Sequence, residues 1–295
     1  MSTGGLVRLV RIGQFSESPV LAAARARGLD RAFGLEIVRT RVPSSPAQFA
    51  LLRDGGIDVA VTSPDNAILY ATTDRNPLGQ RLPVRLLRAV DGGLGLALIS
   101  RPGVDSVMAL QSATVAVDVL PSGFAILLKG LLRCLGVDVL AVSFVEAGST
   151  PRRLEGLLAD EVQATILNAE SRVAAEEAHM RVWATSADLS TDYLGTVLAA
   201  RPDASPGLIE PLLAMWDEAS RWLLDAPLEE VVSGLADVEP VLASTSYVSL
   251  VRNPLVGLAR SPAISLEQLL VLAWLRTEAG VYAPVPGSLA PLVTG

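Results

Sequence analysis

The sequence predicts an α/β protein built from two lobes, each with a mainly parallel sheet flanked by helices, followed by a helical C-terminal region. Its 295 residues exceed a typical single domain, which favours two lobes. Over the first two-thirds of the chain, short apolar runs alternate with helical segments, the order typical of βαβ units. Half of the residues are hydrophobic and the mean hydropathy is +0.43, so the chain can fill a large core.

The first set of elements starts with a strand at 7–15, the turn Ser16-Glu17-Ser18-Pro19 and a helix to about Arg27. Serine or glutamate followed by proline in the first turn is typical of a helix start. The same alternation continues along the chain. Further strands are predicted at 34–42, 57–62, 84–90 and 94–100, with helices at 45–53 and after Ser63.

A second, similar set of elements begins near Arg101, and the extended stretch 191–200 leads the chain back to the first lobe. Beyond that stretch the pattern is helical. Strands of the second set are predicted at 113–117, 139–145, 162–167 and 182–185, with helices after Gly123, Ser149 and Asn168. The C-terminal helices are predicted at 206–224, 227–234 and 265–279.

Charge and residue usage exclude several classes of function. The net charge is −7 and the arginines are scattered, with Arg152-Arg153 the only adjacent basic pair, so no nucleic-acid partner is expected. There is no apolar run of about 18 residues, which argues against membrane insertion. Cys134 and His179 are each the only residue of their kind, which excludes a disulfide framework and a Cys/His zinc site. We expect no metal and no cofactor.

Two consecutive stretches resemble a known family. Val10-Arg11-Ile12-Gly13 and Gly34-Leu35-Glu36-Ile37-Val38 are separated by a short helix and lead on to LLRDGGIDVA at 51–60. This order resembles the substrate-binding proteins for alkanesulfonates, taurine, nitrate and thiamine-pyrimidine precursors. In that family a strand is followed by a helix ending in a G-L-x-V strand, and then by a helix ending in L-x-x-G-x-x-D.

The resemblance extends into the second set of elements. Residues 113–117 followed by Ser122-Gly123 look like the family's entry into its second lobe, and 153–158 resembles its later L-x-x-G helix. The likeness covers about 7–235, and the stretch 235–265 finds no counterpart. It implies a type II periplasmic-binding-protein fold with a ligand cleft between the lobes and crossovers near Ser100 and Leu189. Lobe 1 would comprise 1–100 plus 190–295, and lobe 2 would comprise 101–189.

Turn residues at the carboxyl ends of the predicted strands are the candidates for ligand binding, because open α/β sheets bind ligands beyond those ends. Several helix N-termini aimed at one cleft would hold an anion. Each small polar residue in these turns can equally be an ordinary N-cap with no ligand role. The hydroxyl and amide candidates are Ser16, Ser63, Ser122, Thr150 and Asn168, and the same turns contribute Phe15, Gly92 and Gly123.

Carboxylates occupy the same turns. They can supply a general base or recognise a cationic group. They can also simply complement the helix dipoles, which is the more frequent role of first-turn acids. If they face the cleft, an amine-bearing or zwitterionic ligand fits better than a purely anionic one. These residues are Glu17, Asp65, Asp91 and Glu170.

The sequence therefore predicts a binder of a small molecule, a polar organic acid or a zwitterion, held by hinge closure of two lobes. One alternative is a cytosolic decarboxylase or lyase on the same scaffold, with Glu17, Asp65 or Asp91 moving protons. Another is a cytosolic ligand sensor. Met1 to Gly5 show no signal-peptide features, which indicates a cytoplasmic protein. If a leader was removed, the protein is periplasmic or at the cell surface, with an ABC permease as its partner.

Overall fold

The computed structural model describes residues 7–120 and 122–293, and over these ranges it contains two five-stranded sheets. Met1 to Gly5, on which the expected localisation depends, lie outside the described residues. The first sheet contains β1 (Arg8–Gln14), β2 (Leu35–Arg41), β3 (Val59–Thr62), β4 (Arg85–Asp91) and β10 (Thr196–Ala200). The second contains β5 (Ala97–Ser100), β6 (Thr114–Val117), β7 (Ser143–Glu146), β8 (Ala164–Leu167) and β9 (Arg181–Thr185).

Helices flank both sheets and form the C-terminal region. The first eight are α1 (Pro19–Ala26), α2 (Leu29–Ala32), α3 (Ser45–Arg53), α4 (Pro64–Thr72), α5 (Gly123–Cys134), α6 (Thr150–Leu158), α7 (Ala169–Glu177) and α8 (Ser186–Leu189). The C-terminal helices are α9 (Pro206–Asp225), α10 (Leu228–Ala236), α11 (Thr245–Arg252) and α12 (Leu266–Glu278). Among the described residues no helix is both long and apolar enough to cross a membrane.

The two sheets share one topology, β2-β1-β3-β10-β4 in the first and β7-β6-β8-β5-β9 in the second. In each, one strand runs antiparallel to both neighbours: β10 in the first sheet and β5 in the second. The sheets are therefore mainly parallel, as predicted, with one antiparallel strand in each that the sequence did not reveal. The cause is the route of the chain. A strand that arrives from the other lobe starts at the carboxyl edge of its new sheet, so it runs opposite to the rest.

The chain passes between the sheets at 92–96 and at 186–195. The first crossover was expected near Ser100, but β5 already belongs to the second sheet, so the crossing comes before residue 97. The second crossover contains Leu189, at the expected place. The lobe limits at 100 and 190 remain a prediction. They assign residues 97–100 to the first lobe, whereas the strand at these residues, β5, belongs to the second sheet.

The two crossovers touch backbone to backbone. A Cβ atom added to Gly195 would lie 2.3 Å from the N and Cα atoms of Gly93, so no side chain fits there. Asp91 ties the contact together: its carbonyl accepts from Gly195 N at 2.9 Å, and its Oδ1 accepts from Gly93 N at 2.8 Å and Leu94 N at 3.0 Å. This arrangement forms the hinge between the lobes.

Several predicted element boundaries differ from the structure. Within the predicted turn 16–19, Ser18 rather than the candidate Ser16 is the N-cap of α1, accepting from Leu21 N at 3.4 Å. Only the second half of the predicted strand 139–145 is extended, because Asp138 accepts from Leu140 N at 3.0 Å and caps a 3₁₀ turn over Val139–Ala141. The helix α11 was not anticipated.

One hydrophobic core joins both lobes to the C-terminal region. It runs from Ile68 on α4 through Leu98 on β5 and Leu127 on α5 to Leu275 on α12. A second core packs α1 and α9 against the first sheet, with Trp216 at its centre, and also takes in Val173 on α7. Because α12 packs against α5, the C-terminal region contacts the second lobe as well as the first.

Part of the stretch 235–265, for which the sequence offered no interpretation, covers an edge of the first sheet that would otherwise be exposed. Strand β4 lies at the end of the first sheet, and the segment 257–262 runs alongside it. Gly92 N donates to Gly257 O at 3.0 Å, Ala259 N to Val90 O at 2.9 Å and Ala89 N to Pro262 O at 2.9 Å. A covered edge cannot pair with a strand of another molecule.

Replacing Gly195 by alanine tests the hinge contact. We expect Gly195→Ala to lower the free energy of unfolding by about 1–3 kcal/mol, because the added methyl group meets the backbone of Gly93 and neither crossover can yield alone. The measurement is urea unfolding monitored by circular dichroism. Gly207→Ala on α9 is the matched control, since its Cβ would meet only Ser205 Oγ at 3.7 Å. Equal stability of the two variants would contradict the close backbone contact between Gly93 and Gly195.

Candidate functional site

The carboxyl edges of the two sheets face each other across the hinge. A Cβ atom added to Gly123, at the start of α5, would lie 3.4 Å from Asp65 Oδ2 on α4. A Cβ atom on Gly95 would lie 2.4 Å from Cα of Ala169, at the start of α7. Turns at the carboxyl edges of the two sheets therefore approach one another.

Three of the predicted polar turn residues are N-caps. Ser63 accepts from Asp65 N at 3.2 Å, Ser122 from Ala125 N at 3.0 Å and Asn168 from Ser171 N at 3.4 Å. Their capping interpretation is therefore confirmed, and all three side chains are half-buried. Among the described residues, capping leaves the N–H groups of the first two residues of α5 and of α7 free, whereas α4 has none free, because it starts with Pro64 and the N–H groups of Asp65 and Asn66 both donate to Ser63.

Thr150 was also expected to be an N-cap, but Ser149 holds that position and Thr150 is the first residue of α6. Thr150 Oγ1 instead accepts from Arg153 Nη2 at 3.1 Å. Arg153 is 1% exposed and donates also to the carbonyls of Gly148 and Ile166. Burial lowers its pKa, although Asp118 acts in the opposite direction. The arginine thus fixes the turn before α6.

Three further candidates occupy two turns. Phe15 and Ser16 are half-buried in the turn that follows β1. Gly92 lies in the hinge instead: its N–H and carbonyl bind Gly257 and Ser186, and a Cβ atom there would lie 2.4 Å from Leu255 O. The role of Gly92 is therefore close packing of the crossover.

Asp65 forms a buried ion pair that the sequence did not reveal. Its two oxygens accept from Arg276 Nη1 on α12 at 2.9 and 2.8 Å, and both side chains are less than a tenth exposed. Arg276 Nε also donates to the carbonyl of Tyr282. The hydroxyl group of Tyr282 donates to Thr72 O at 3.2 Å, at the far end of α4. The pair therefore holds the C-terminal region along α4.

The other carboxylates proposed for an enzyme are also engaged. Asp91 is 5% exposed and accepts from the hinge N–H groups; burial raises its pKa, against those hydrogen bonds and one from Thr196. Glu17 accepts from Arg39 Nη1 at 2.9 Å and from Gln14 Nε2 at 3.0 Å. These contacts assign Glu17, Asp65 and Asp91 structural partners and do not favour their use as proton carriers.

Glu170 faces the first lobe from the start of α7. Burial raises its pKa; nearby Glu17 and Glu239 act in the same direction, and Arg41 acts against them. Arg39 lies between the two glutamates of the first lobe, 2.9 Å from Glu17 and 3.6 Å from Glu239. The charges of two carboxylates of the first lobe therefore act on a carboxylate of the second.

Two buried tyrosines lie beside these carboxylates. Burial raises the pKa of Tyr193, with Asp65 and Asp91 adding to the effect. Burial likewise raises the pKa of Tyr247, with Glu170 and Asp91 adding to it. Tyr193 lies in the second crossover, whereas Tyr247 falls in the stretch 235–265, which finds no counterpart in the family resemblance. Periodicity gave no signal for Tyr247, because its neighbours come from distant parts of the chain.

Two surface depressions, of about 440 and 420 Å³, lie on the first lobe outside these turns. One is lined by residues such as Arg85 and Arg201, and the other by residues such as Arg25 and Arg31. Neither contains a predicted site residue. Within the described part of the chain, no three His, Cys, Asp or Glu side chains converge as metal ligands do.

Comparison with known proteins identifies the fold of this chain by structural similarity. No family model and no curated protein matches the sequence. Among solved structures, the alkanesulfonate-binding protein of Xanthomonas axonopodis pv. citri, bound to MOPS, superposes with a TM-score of 0.76 at 17% identity over 99% of both chains. The chain has the two-lobed fold of type II periplasmic binding proteins. The fold implied by the sequence resemblance is thus confirmed.

Two other structures share this periplasmic-binding-protein fold. The periplasmic aliphatic sulphonate binding protein of Escherichia coli has a TM-score of 0.73 and 18% identity, covering 98% of this chain and 92% of that one. The periplasmic nitrate-binding protein of Synechocystis PCC 6803 has a TM-score of 0.68 and 15% identity, covering 92% and 80%.

Breaking the buried ion pair tests how the C-terminal region is held. We expect Arg276→Met to lower the free energy of unfolding by about 3–5 kcal/mol, because it leaves the Asp65 carboxylate buried without its partner. Adding Asp65→Asn should restore part of the loss. The double variant should therefore lose less unfolding free energy than the sum of the losses of the two single variants. Denaturant unfolding measures all three variants. The exposed pair Arg221–Glu218 supplies the control: Arg221→Met should cost less than about 1 kcal/mol. Equal losses would argue against an anchoring role.

Glu170 predicts a pH-dependent stability. Because its pKa is raised in the folded protein, its contribution is most favourable below the ordinary glutamate range and is lost as the pH rises through the folded value. Glu170→Gln should therefore unfold at a higher temperature than the wild type at pH 8, with the difference shrinking toward pH 4. Differential scanning calorimetry across this range measures it. The control is Glu177→Gln, at the exposed end of the same helix. Parallel profiles for the two variants would refute the expectation.

Proposed function

We propose that the protein binds a small polar organic molecule between its lobes and closes over it by rotation at the hinge. The observation that carries this proposal is the meeting of strand-to-helix turns from both sheets at one place, shown by the contact of Gly123 with Asp65. Turns at the carboxyl ends of strands are where open α/β sheets bind ligands. Here two such sheets share one cleft.

The lining of the cleft suits a ligand with polar groups. The helices α5 and α7 start there, and the N–H groups of their first two residues can donate to acidic oxygens of a ligand. Phe15 and Ser16 follow β1 at the same edge. A polar organic acid or a zwitterion is therefore the proposed class of ligand.

Closure follows from the construction of the hinge. The crossovers at 92–96 and 186–195 are short and packed on one another, so the lobes can rotate there without unfolding a sheet. A ligand that contacts turns of both lobes favours the closed form, since only that form offers both sets of contacts at once.

The related solved structures support the same proposal. Two are named as sulfonate-binding proteins, one is named as a nitrate-binding protein and another as the ligand-binding component of an ABC-type import system from Staphylococcus aureus. On this basis we propose an ABC permease as the partner wherever the protein is exported. In the cytoplasm the same closure would serve a ligand sensor.

A binding screen tests the proposal. Thermal-shift measurements with a library of sulfonates, amino acids and aromatic acids should identify compounds that raise the unfolding temperature. A compound present at 100 times its Kd should stabilise the protein by about 2.7 kcal/mol. No stabilisation by any compound of the library would contradict the proposal.

A matched pair of variants then places the site. We expect Ser122→Trp to weaken binding of a compound found by the screen more than about tenfold, because the indole ring fills the space in front of α5. Ser265→Trp is the control: Ser265 also caps its helix, accepting from Gln268 N at 3.2 Å, but it is exposed at the start of α12. Calorimetric titration measures both affinities. Equal effects of the two variants would place the site elsewhere.

A further inference from the structure

One corner of the cleft contains a buried acceptor with no donor. Gln14, the last residue of β1, is 2% exposed, and its Oε1 atom has no hydrogen-bond partner. The orientation of the amide is determined by its other atom, because Nε2 donates to Glu17 Oε2 at 3.0 Å. A flipped amide would place its oxygen against the carboxylate. The acceptor is therefore real, and it lies beside Glu17.

Carboxylates of both lobes lie in the neighbourhood of Glu17. Glu17 and Glu239 of the first lobe share Arg39, at 2.9 and 3.6 Å. Glu170 of the second lobe lies close enough for the charges of both glutamates, and of Arg41, to act on it. Three carboxylates thus face two guanidinium groups, which leaves a net negative charge when all three are ionised.

The unpartnered amide oxygen and the excess of carboxylates would both be stabilised by the same kind of ligand group. An unpartnered buried carbonyl oxygen is stabilised by a hydrogen-bond donor, and a negative corner is stabilised by a cation. An ammonium group is both, with three N–H donors around one positive charge. A carboxylate or sulfonate group would add acceptors and negative charge where both are already in excess.

We propose that this corner binds an ammonium group of the ligand between Gln14, Glu17 and Glu170. The inference rests on the proposed function and narrows it: the ligand is an amine, and an amino acid or aminosulfonate if its other end meets the helix N-termini. Gln14 and Glu17 belong to the first lobe and Glu170 to the second. The ammonium group therefore attracts both lobes, whereas without it their carboxylates repel.

Matched pairs of compounds test the inference by calorimetric titration at pH 7.5. The pairs differ only in an amine or a hydroxyl group: taurine and isethionate, β-alanine and 3-hydroxypropionate, 4-aminobutyrate and 4-hydroxybutyrate. We expect the amine of at least one pair to bind about tenfold or more tightly than its hydroxyl partner. Glu170→Gln should remove most of that preference by weakening the amine alone. Glu177→Gln, on the same helix but exposed, should leave both affinities unchanged.

A second variant, Glu17→Gln, keeps a polar side chain beside Gln14 and should reduce the same preference if Glu170→Gln folds poorly. The inference is overturned if hydroxyl compounds bind as tightly as their amine partners, or if both glutamate variants weaken both members equally. It is also overturned if no amine of the set binds while another compound of the screening library does. If no compound of the library binds, the proposed function itself fails, which separates the two outcomes.

Discussion

The backbones of Gly93 and Gly195 lie so close that neither crossover has room for a side chain at this point, and the geometry of the cleft depends on that contact. Since β4 ends at the carboxyl edge of one sheet, the chain enters the other lobe at the same kind of edge, and β5 must run antiparallel to its new neighbours. The return through β10 repeats the arrangement in the first sheet. Two short, packed crossovers thus bring both carboxyl edges together.

Some carboxylates near the crossovers have structural partners, and others are proposed to bind the ligand. Asp65 neutralises a buried arginine, and Asp91 accepts the N–H groups that shape the hinge. Both carboxylates are thereby removed from ligand chemistry, since a buried charge that loses its partner costs several kcal/mol. Glu170 differs, because burial and two neighbouring carboxylates raise its pKa while one exposed arginine acts against them. The corner beside Gln14 therefore has acceptors to offer a ligand.

The C-terminal region is part of the two-lobed body rather than an appendage. Its helix α12 packs against α5 of the second lobe and joins α4 of the first through Arg276. The segment 257–262 covers the edge of the first sheet, and α11 brings the buried Tyr247 near Glu170 and Asp91. A stretch without a recognisable sequence pattern thus packs between the lobes, and its position depends on contacts with β4 and α7.

By itself the sequence determined the order of elements, their approximate limits and the two-lobed fold. These follow from local periodicity and from caps such as Ser63, Ser122 and Asn168, which act within a few residues along the chain. It also predicted the N-capping roles of these three residues, which the structure shows. Only the tertiary structure decided which carboxylates remain available: Asp65 finds its partner 211 positions away, and Glu17 and Glu170 meet only when the lobes do. Pairing and burial depend on contacts distant in the chain, which no local pattern encodes.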